Sequence, residues 1–383
     1  MSDFVYLDNA ATTFPKPEAV YTAQDRINRT MAVNAGRGAY QVSREASALI
    51  AECRSRMAAL SGCKEENLIF SPSATIGLNQ IILGLRWDRY KVVYVSPYEH
   101  NAVIRPLSRI CQRHGIELKQ LTTADDGSLD IERITIQFAK QSPNYVFLTH
   151  VSNVTGYILP VREVADLAHH YGATVIADCS QSMGLLTASL DALHADYLVF
   201  AGHKTLYGCF GIGGWAAKDT ENLEPVICGG TGSDSLNHSM PSTSPGRFEA
   251  GSPNIIAIGA LNAALNWRDK LPAGSIEEKE HLLTARLVGG LTANKKICVY
   301  QTSKSTNHIS VVSFNHKAYM ADELGIILDQ DYSIAVRAGY HCAPHVHDLI
   351  GSIPKRGTVR ASIGYFTAEE DIDRLLEALE ELD

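Results

Sequence analysis

The feature that most constrains this chain is a pair of short apolar runs, each of which delivers one reactive side chain. Ala173-Thr174-Val175-Ile176-Ala177 runs into Asp178, and Asp196-Tyr197-Leu198-Val199-Phe200 runs through Ala201-Gly202-His203 into Lys204. Runs this short and this continuously apolar read as strands buried on both faces, as in a parallel sheet covered by helices. Open sheets of this kind bind ligands beyond the carboxyl ends of their strands. Asp178 and Lys204 are therefore expected at the same sheet edge.

The rest of the chain extends the pattern. Lys91–Val95 reads as a strand, 102–114 as a helix, Tyr145–Thr149 as a strand and 162–170 as a helix, so residues 16–253 are expected to form a large α/β domain with a mainly parallel sheet. Beyond Pro253 the register changes to two helical stretches, 255–271 and 276–292, a strand at Ile309–Phe314 and a closing helix. Thr367 and Glu370 predict a reciprocal cap at the start of that last helix. Residues 254–383, joined by the N-terminal segment 1–15, are expected to form a smaller α+β domain.

Charge narrows the partners. With 34 basic and 42 acidic residues the net charge is −8, and no basic tract or lysine-rich helix is present, so neither nucleic acid nor an anionic membrane is an expected partner. No apolar stretch has the length of a signal-peptide core or a membrane span, and the expected location is the cytoplasm. The eight cysteines are scattered without a Cys-x-x-Cys pair, which predicts reduced thiols and neither disulfides nor a structural zinc site.

A lysine and an aspartate at one sheet edge suit pyridoxal phosphate chemistry. The lysine can form a Schiff base with the cofactor aldehyde, and the aspartate can keep the pyridine nitrogen protonated, so that the ring withdraws electrons. Ser71-Pro72-Ser73-Ala74-Thr75 precedes an apolar helix and can cradle a phosphate, or serve only as an N-cap. His100, after the Val92–Val95 run, can stack on a flat ring or be structural. Asn153 can contact substrate or cofactor, or form an Asx turn. Gln181 can donate to a phenolic oxygen, and Arg360 can take a carboxylate through two parallel hydrogen bonds or sit in a surface ion pair.

Cys342 lies in Arg337-Ala338-Gly339-Tyr340-His341-Cys342-Ala343-Pro344-His345. Among glycine, proline and polar neighbours, with Arg337, His341 and His345 near in sequence to lower its pKa, its thiol is a candidate nucleophile. A metal reading through His341, Cys342, His345 and His347 lacks a second ligand cluster, so no metal is expected.

Together these segments resemble the class V aminotransferase family of fold-type I pyridoxal phosphate enzymes, in its cysteine desulfurase and selenocysteine lyase branch. The likeness runs from Tyr6-Leu7-Asp8-Asn9-Ala10-Ala11-Thr12-Thr13 through Glu99-His100-Asn101, Ser152-Asn153, Ala177-Asp178-Cys179-Ser180-Gln181, Gly202-His203-Lys204 and Phe248–Asn254. It continues to Arg337–Ala343 and Val359–Ser362, covering nearly the whole chain. The form around Cys342 is similar to group II enzymes, whose cysteine loop is short and relatively ordered.

The resemblance implies an α/β large domain with a sheet of the seven-stranded type and pyridoxal 5'-phosphate as cofactor. It implies that Lys204 carries the Schiff base, His100 stacks on the ring, Asp178 holds its nitrogen and Gln181 its phenolic oxygen. Ala74, Thr75 and His203 would bind the phosphate, with Asn153 beside the cofactor and Arg360, Asn153 and Arg337 on the substrate. Ser252 would reach the phosphate of a neighbouring subunit, which implies a homodimer. The implied activity converts L-cysteine to L-alanine, with a persulfide on Cys342 for a sulfur-acceptor protein. Selenocysteine lyase, and another β-lyase or aminotransferase, share the same motifs. Two positions depart from the family: Ala201 stands where serine is frequent, removing a phosphate contact, and Tyr340 stands where many group II members have histidine.

Overall fold

The structure, a computed structural model, describes residues 4–36, 38–232, 236–301 and 307–382. The first strand, β1 (Val5–Tyr6), belongs to no large sheet. Seven strands then build the main sheet: β2 (Leu68–Ser71), β3 (Val93–Val95), β4 (Leu118–Gln120), β5 (Tyr145–Thr149), β6 (Thr174–Asp178), β7 (Tyr197–Ala201) and β8 (Gly213–Ala217). Their order is β2-β8-β7-β6-β5-β3-β4, with β4, β3, β5, β6 and β7 mutually parallel and β8 antiparallel to both of its neighbours. The central strands are buried along nearly their whole length, with only Thr174 at the start of β6 half-buried, because helices cover both faces. One layer closes over Leu148, Val175 and Leu198, the other over Phe147, Ile176 and Val199.

The second sheet is antiparallel, built from β9 (Ile297–Tyr300), β10 (Val311–His316), β12 (Arg337–Gly339) and β13 (Thr358–Ser362) in the order β12-β13-β10-β9. The short β11 (Ile334–Ala335) pairs in parallel with β1 in a separate two-stranded sheet, and Ser362 of β13 donates to Leu7 O (2.7 Å), which ties the N-terminal segment to the four-stranded sheet. Val5, Leu7, Phe314, Leu324 and Leu375 share one core. Helix Ile255–Arg268, which opens the stretch after Pro253, packs on helices Glu18–Thr30 and Gln41–Ser61 instead.

Three local expectations shift. The strand expected from Lys91 starts at Val93, because Asn144 takes the Val92 backbone: its side-chain oxygen accepts from Val92 N (2.9 Å) and its own N–H donates to Val92 O (2.8 Å). The strand expected from Ile309 starts at Val311, because Ser310 adopts φ +62° and breaks the extended run. The cap between Thr367 and Glu370 does not form. The last helix begins at Glu369, Asp371 accepts from Ala368 N (2.9 Å), and the Thr367 hydroxyl instead accepts from Gly364 N (3.0 Å). Among the described residues no helix is long and apolar enough to cross a membrane.

Candidate active site

Four parallel strands open into one cleft. His100 follows β3, Asn153 follows β5, Asp178 ends β6, and Lys204 sits on the turn after β7. The cleft holds about 230 Å³ and is also lined by Ala74, Thr75, Gln181, His203, Arg337, Cys342 and Arg360. Ser252 lies elsewhere, exposed beside Asn34, whose amide donates to its hydroxyl (3.4 Å), in a groove of about 650 Å³ lined by Phe70, Ile76, Ile212 and Phe248.

Each side chain is aimed by its element. Asp178 is buried, and its Oδ1 accepts from Ser180 N (2.9 Å). Burial draws the Lys204 amine down to about 8, with Asp178 opposing the shift and Arg360 and Arg337 adding to it. His100 caps helix Asn101–His114: its Nδ1 accepts from Ala102 N (3.0 Å), so in the neutral ring the proton sits on Nε2. Burial, reinforced by the Lys204 charge, pushes His100 down to about 4, leaving a neutral imidazole at physiological pH. Gln181 donates to Ala10 O (2.9 Å), which fixes the plane of its amide.

At the other end, Ser73 caps helix Ala74–Gly84 by accepting from Ile76 N (3.3 Å), and the first-turn N–H groups of that helix form an anion cradle. His203 is held neutral, pushed down to about 3 by burial and by Lys204 and Lys16.

The Cys342 loop is tied to both sheets. His341 and Cys342 take φ +46° and +59°, a strained conformation for two consecutive non-glycine residues. Asn101 N donates to Cys342 O (2.7 Å), the Asn153 amide donates to His341 O (2.7 Å), and His341 Nε2 meets Thr358 Oγ1 (2.9 Å). The thiol itself is exposed at the cleft. His341, expected to act on that thiol, is turned to Thr358 and kept neutral by burial. Among the described residues no three His, Cys, Asp or Glu side chains are set to hold a metal ion.

Arg360 is 1 % exposed and donates to Asp8 Oδ1 (2.6 Å) and Asn153 O (2.9 Å). Sequence reasoning passed over Asp8, although it ends the alternating Val5-Tyr6-Leu7 segment that enters the small sheet. Replacing Asp8 by alanine is expected to cost about 3 kcal/mol in chemical denaturation, because a buried guanidinium loses its counter-ion. Asp8→Asn, which keeps one acceptor, is expected to lose less.

Glu99 is the other residue that went unassigned. It is fully buried and receives Ser96 Oγ–H and Thr149 N–H on Oε1 (2.6 Å each), while its Oε2 has no hydrogen-bond partner among the described residues. Burial raises it to about 8, with Asp178 adding to the rise. An acid held above its unfolded pKa stabilises the fold fully below about 4.5, and that stability drains away as pH climbs through 8. Denaturation of the wild type is thus expected to lose on the order of 3 kcal/mol between pH 5 and 8 from this group. Glu99→Gln, which keeps the acceptor but cannot ionise, is expected to flatten that part of the profile.

A lysine and an aspartate at the carboxyl edge of a mostly parallel seven-stranded sheet, beside a smaller antiparallel sheet that supplies Arg360 and Cys342, define a fold-type I enzyme. The profile of the family described as "Aminotransferase class-V" matches residues 5–375, and the chain belongs to that family. It is similar to the probable cysteine desulfurase of Methanothermobacter thermautotrophicus, at 30% identity over 100% of this chain and 95% of the relative. It is also similar to the cysteine desulfurase of Escherichia coli strain SE11, at 32% identity over 98% of this chain and 93% of the relative. The apo structure of a cysteine desulfurase from Thermococcus onnurineus NA1 superimposes with a TM-score of 0.91 at 31% identity, covering 99% of this chain and 94% of that one.

Proposed function

We propose that the protein is a pyridoxal phosphate-dependent cysteine desulfurase, converting L-cysteine to L-alanine and leaving the sulfur as a persulfide on Cys342. The observation that carries this reading is an exposed thiol on a strained, tethered loop opening into the same cleft as Lys204 and Asp178.

The donors present fit the cofactor. His203 Nδ1 and Arg360 Nε are buried without hydrogen-bond partners among the described residues, and both residues line the cleft. A phosphate at the Ala74 helix end and a substrate carboxylate on Arg360 would satisfy them. Lys204 would hold the cofactor through its amine, Asp178 its ring nitrogen, Gln181 its phenolic oxygen, and His100 one ring face. Thr75 and His203 would hold its phosphate. When bound, the cofactor supplies an electron-withdrawing ring that stabilises negative charge at the substrate α-carbon.

The chain's own groups do the rest. Arg360, with Arg337 alongside, orients the substrate carboxylate, and Asn153 fixes both the guanidinium and the cysteine loop through its two hydrogen bonds. Lys204 Nζ, with its pKa drawn down to about 8, takes the α-proton. Cys342 Sγ then attacks the substrate sulfur. A sulfur–sulfur bond forms as the carbon–sulfur bond breaks, and the bonding pair stays with the three-carbon fragment, which is protonated and leaves as alanine. The sum is L-cysteine plus thiol giving L-alanine plus persulfide, with no outside oxidant.

The homodimer reading is supported by the apolar groove around the exposed Ser252, which a second copy would cover as it brings Ser252 to its neighbour's phosphate. A sulfur-acceptor protein would take the persulfide, and a cytoplasmic location suits the free cysteines. The test is product analysis of L-cysteine and L-selenocysteine in parallel. Alanine from cysteine supports the desulfurase, whereas turnover of selenocysteine alone, or a keto acid product, supports the lyase or aminotransferase reading instead.

A further inference from the structure

Lys16 has no acidic partner among the described residues. Its ammonium is part-buried and donates to Thr13 Oγ1 (2.6 Å), to His203 O (2.6 Å) and at longer range to Thr12 Oγ1 (3.4 Å), all neutral oxygens. No carboxylate among the described residues pairs with it. A buried charge is normally paired, and leaving one unpaired is costly. Its anchor is equally unusual. The His203 carbonyl also lies within reach of Thr12 Oγ1 (3.0 Å), Thr13 Oγ1 (3.3 Å) and Thr13 N (3.3 Å), so the segment entering from the small sheet closes on the turn that bears Lys204.

The phosphate end of the cleft lacks that charge. The ligands assigned there are a neutral histidine, a threonine and helix N–H groups, and Ala201 brings no hydroxyl. We propose that Lys16 is a positioning residue for the cofactor site: anchored on the His203 carbonyl and without touching the phosphate, it supplies the positive charge that a bound phosphate dianion balances. This rests on the cofactor reading above. Two observations agree with it. Lys16 lies close enough to His203 for its charge to depress that imidazole, and burial draws Lys16 itself down to about 7, as expected for a cation whose counter-ion arrives with a ligand.

The experiment compares two aldehydes that differ only in the phosphate. Full-length protein stripped of cofactor is titrated with pyridoxal 5'-phosphate and with pyridoxal, following absorbance, for wild type, Lys16→Met and Lys16→Arg. Lys16→Met is expected to bind pyridoxal 5'-phosphate about tenfold more weakly while pyridoxal affinity stays within about twofold, and Lys16→Arg to retain most of the difference. Should Lys16→Met fold poorly, Lys16→Gln serves in its place. Equal weakening of both aldehydes, or of neither, overturns the charge role and leaves the cofactor reading intact. A wild type that binds neither aldehyde overturns the cofactor reading, and this inference with it.

Discussion

Cys342→Ala is expected to lose alanine formation from L-cysteine by about 10³-fold or more, while the purified variant keeps the absorbance of its bound cofactor. The separation follows from the layout. Cys342 enters the cleft from the loop after β12 and makes none of the hydrogen bonds that aim Asp178, Gln181 or His100. Its backbone, not its sulfur, carries the tether, through Asn101 N to Cys342 O, so alanine keeps the loop closed and removes only the thiol. The positive φ at Cys342 strains alanine as much as cysteine, so loop geometry should be common to both proteins. Steady-state alanine release with spectra recorded in parallel checks this. A variant that turns over cysteine at the wild-type rate would remove Cys342 from the chemistry.

Lys204→Ala is expected to be the more general lesion, cutting turnover of every amino-acid substrate by about 10²–10⁴-fold. In the proposed mechanism Lys204 has two tasks at one atom, holding the cofactor and taking the α-proton, and burial lowers the pKa of its amine against the opposing pull of Asp178. Lys204→Arg should not rescue it, because a guanidinium stays protonated and cannot act as base. Single-turnover measurements with saturating cofactor separate lost binding from lost proton transfer. A variant that binds cofactor normally and still exchanges the α-proton would show that another base serves the site.

Much of this was legible because burial leaves a strong trace in parallel strands. The runs leading to Asp178 and Ala201 are mostly apolar since both faces of β6 and β7 are covered, and that alone put Asp178 and Lys204 at one edge. Smaller departures came from single side chains: Asn144 shortens β3, Ser310 interrupts β10, and Asp371 replaces the expected capping pair. Less legible were contacts between remote segments. Asp8 meets Arg360 across nearly the whole chain, and Lys16 reaches His203 at the end of an N-terminal segment whose Leu7 and Asn9 backbones bond Ser362 of β13. No periodicity encodes such pairs. Glu99 was hidden for another reason: beside His100 it reads as an ordinary polar pair, and only the burial of its carboxyl against Ser96 and Thr149 sets it apart.

The most direct test of the central claim is a single turnover of L-cysteine followed by mass analysis of the peptide containing Cys342. The account predicts one alanine released for each protein chain that gains one sulfur atom on Cys342, and loss of that added mass on treatment with a thiol reductant. Alanine released with no sulfur on Cys342, or sulfur found on another cysteine, would contradict it.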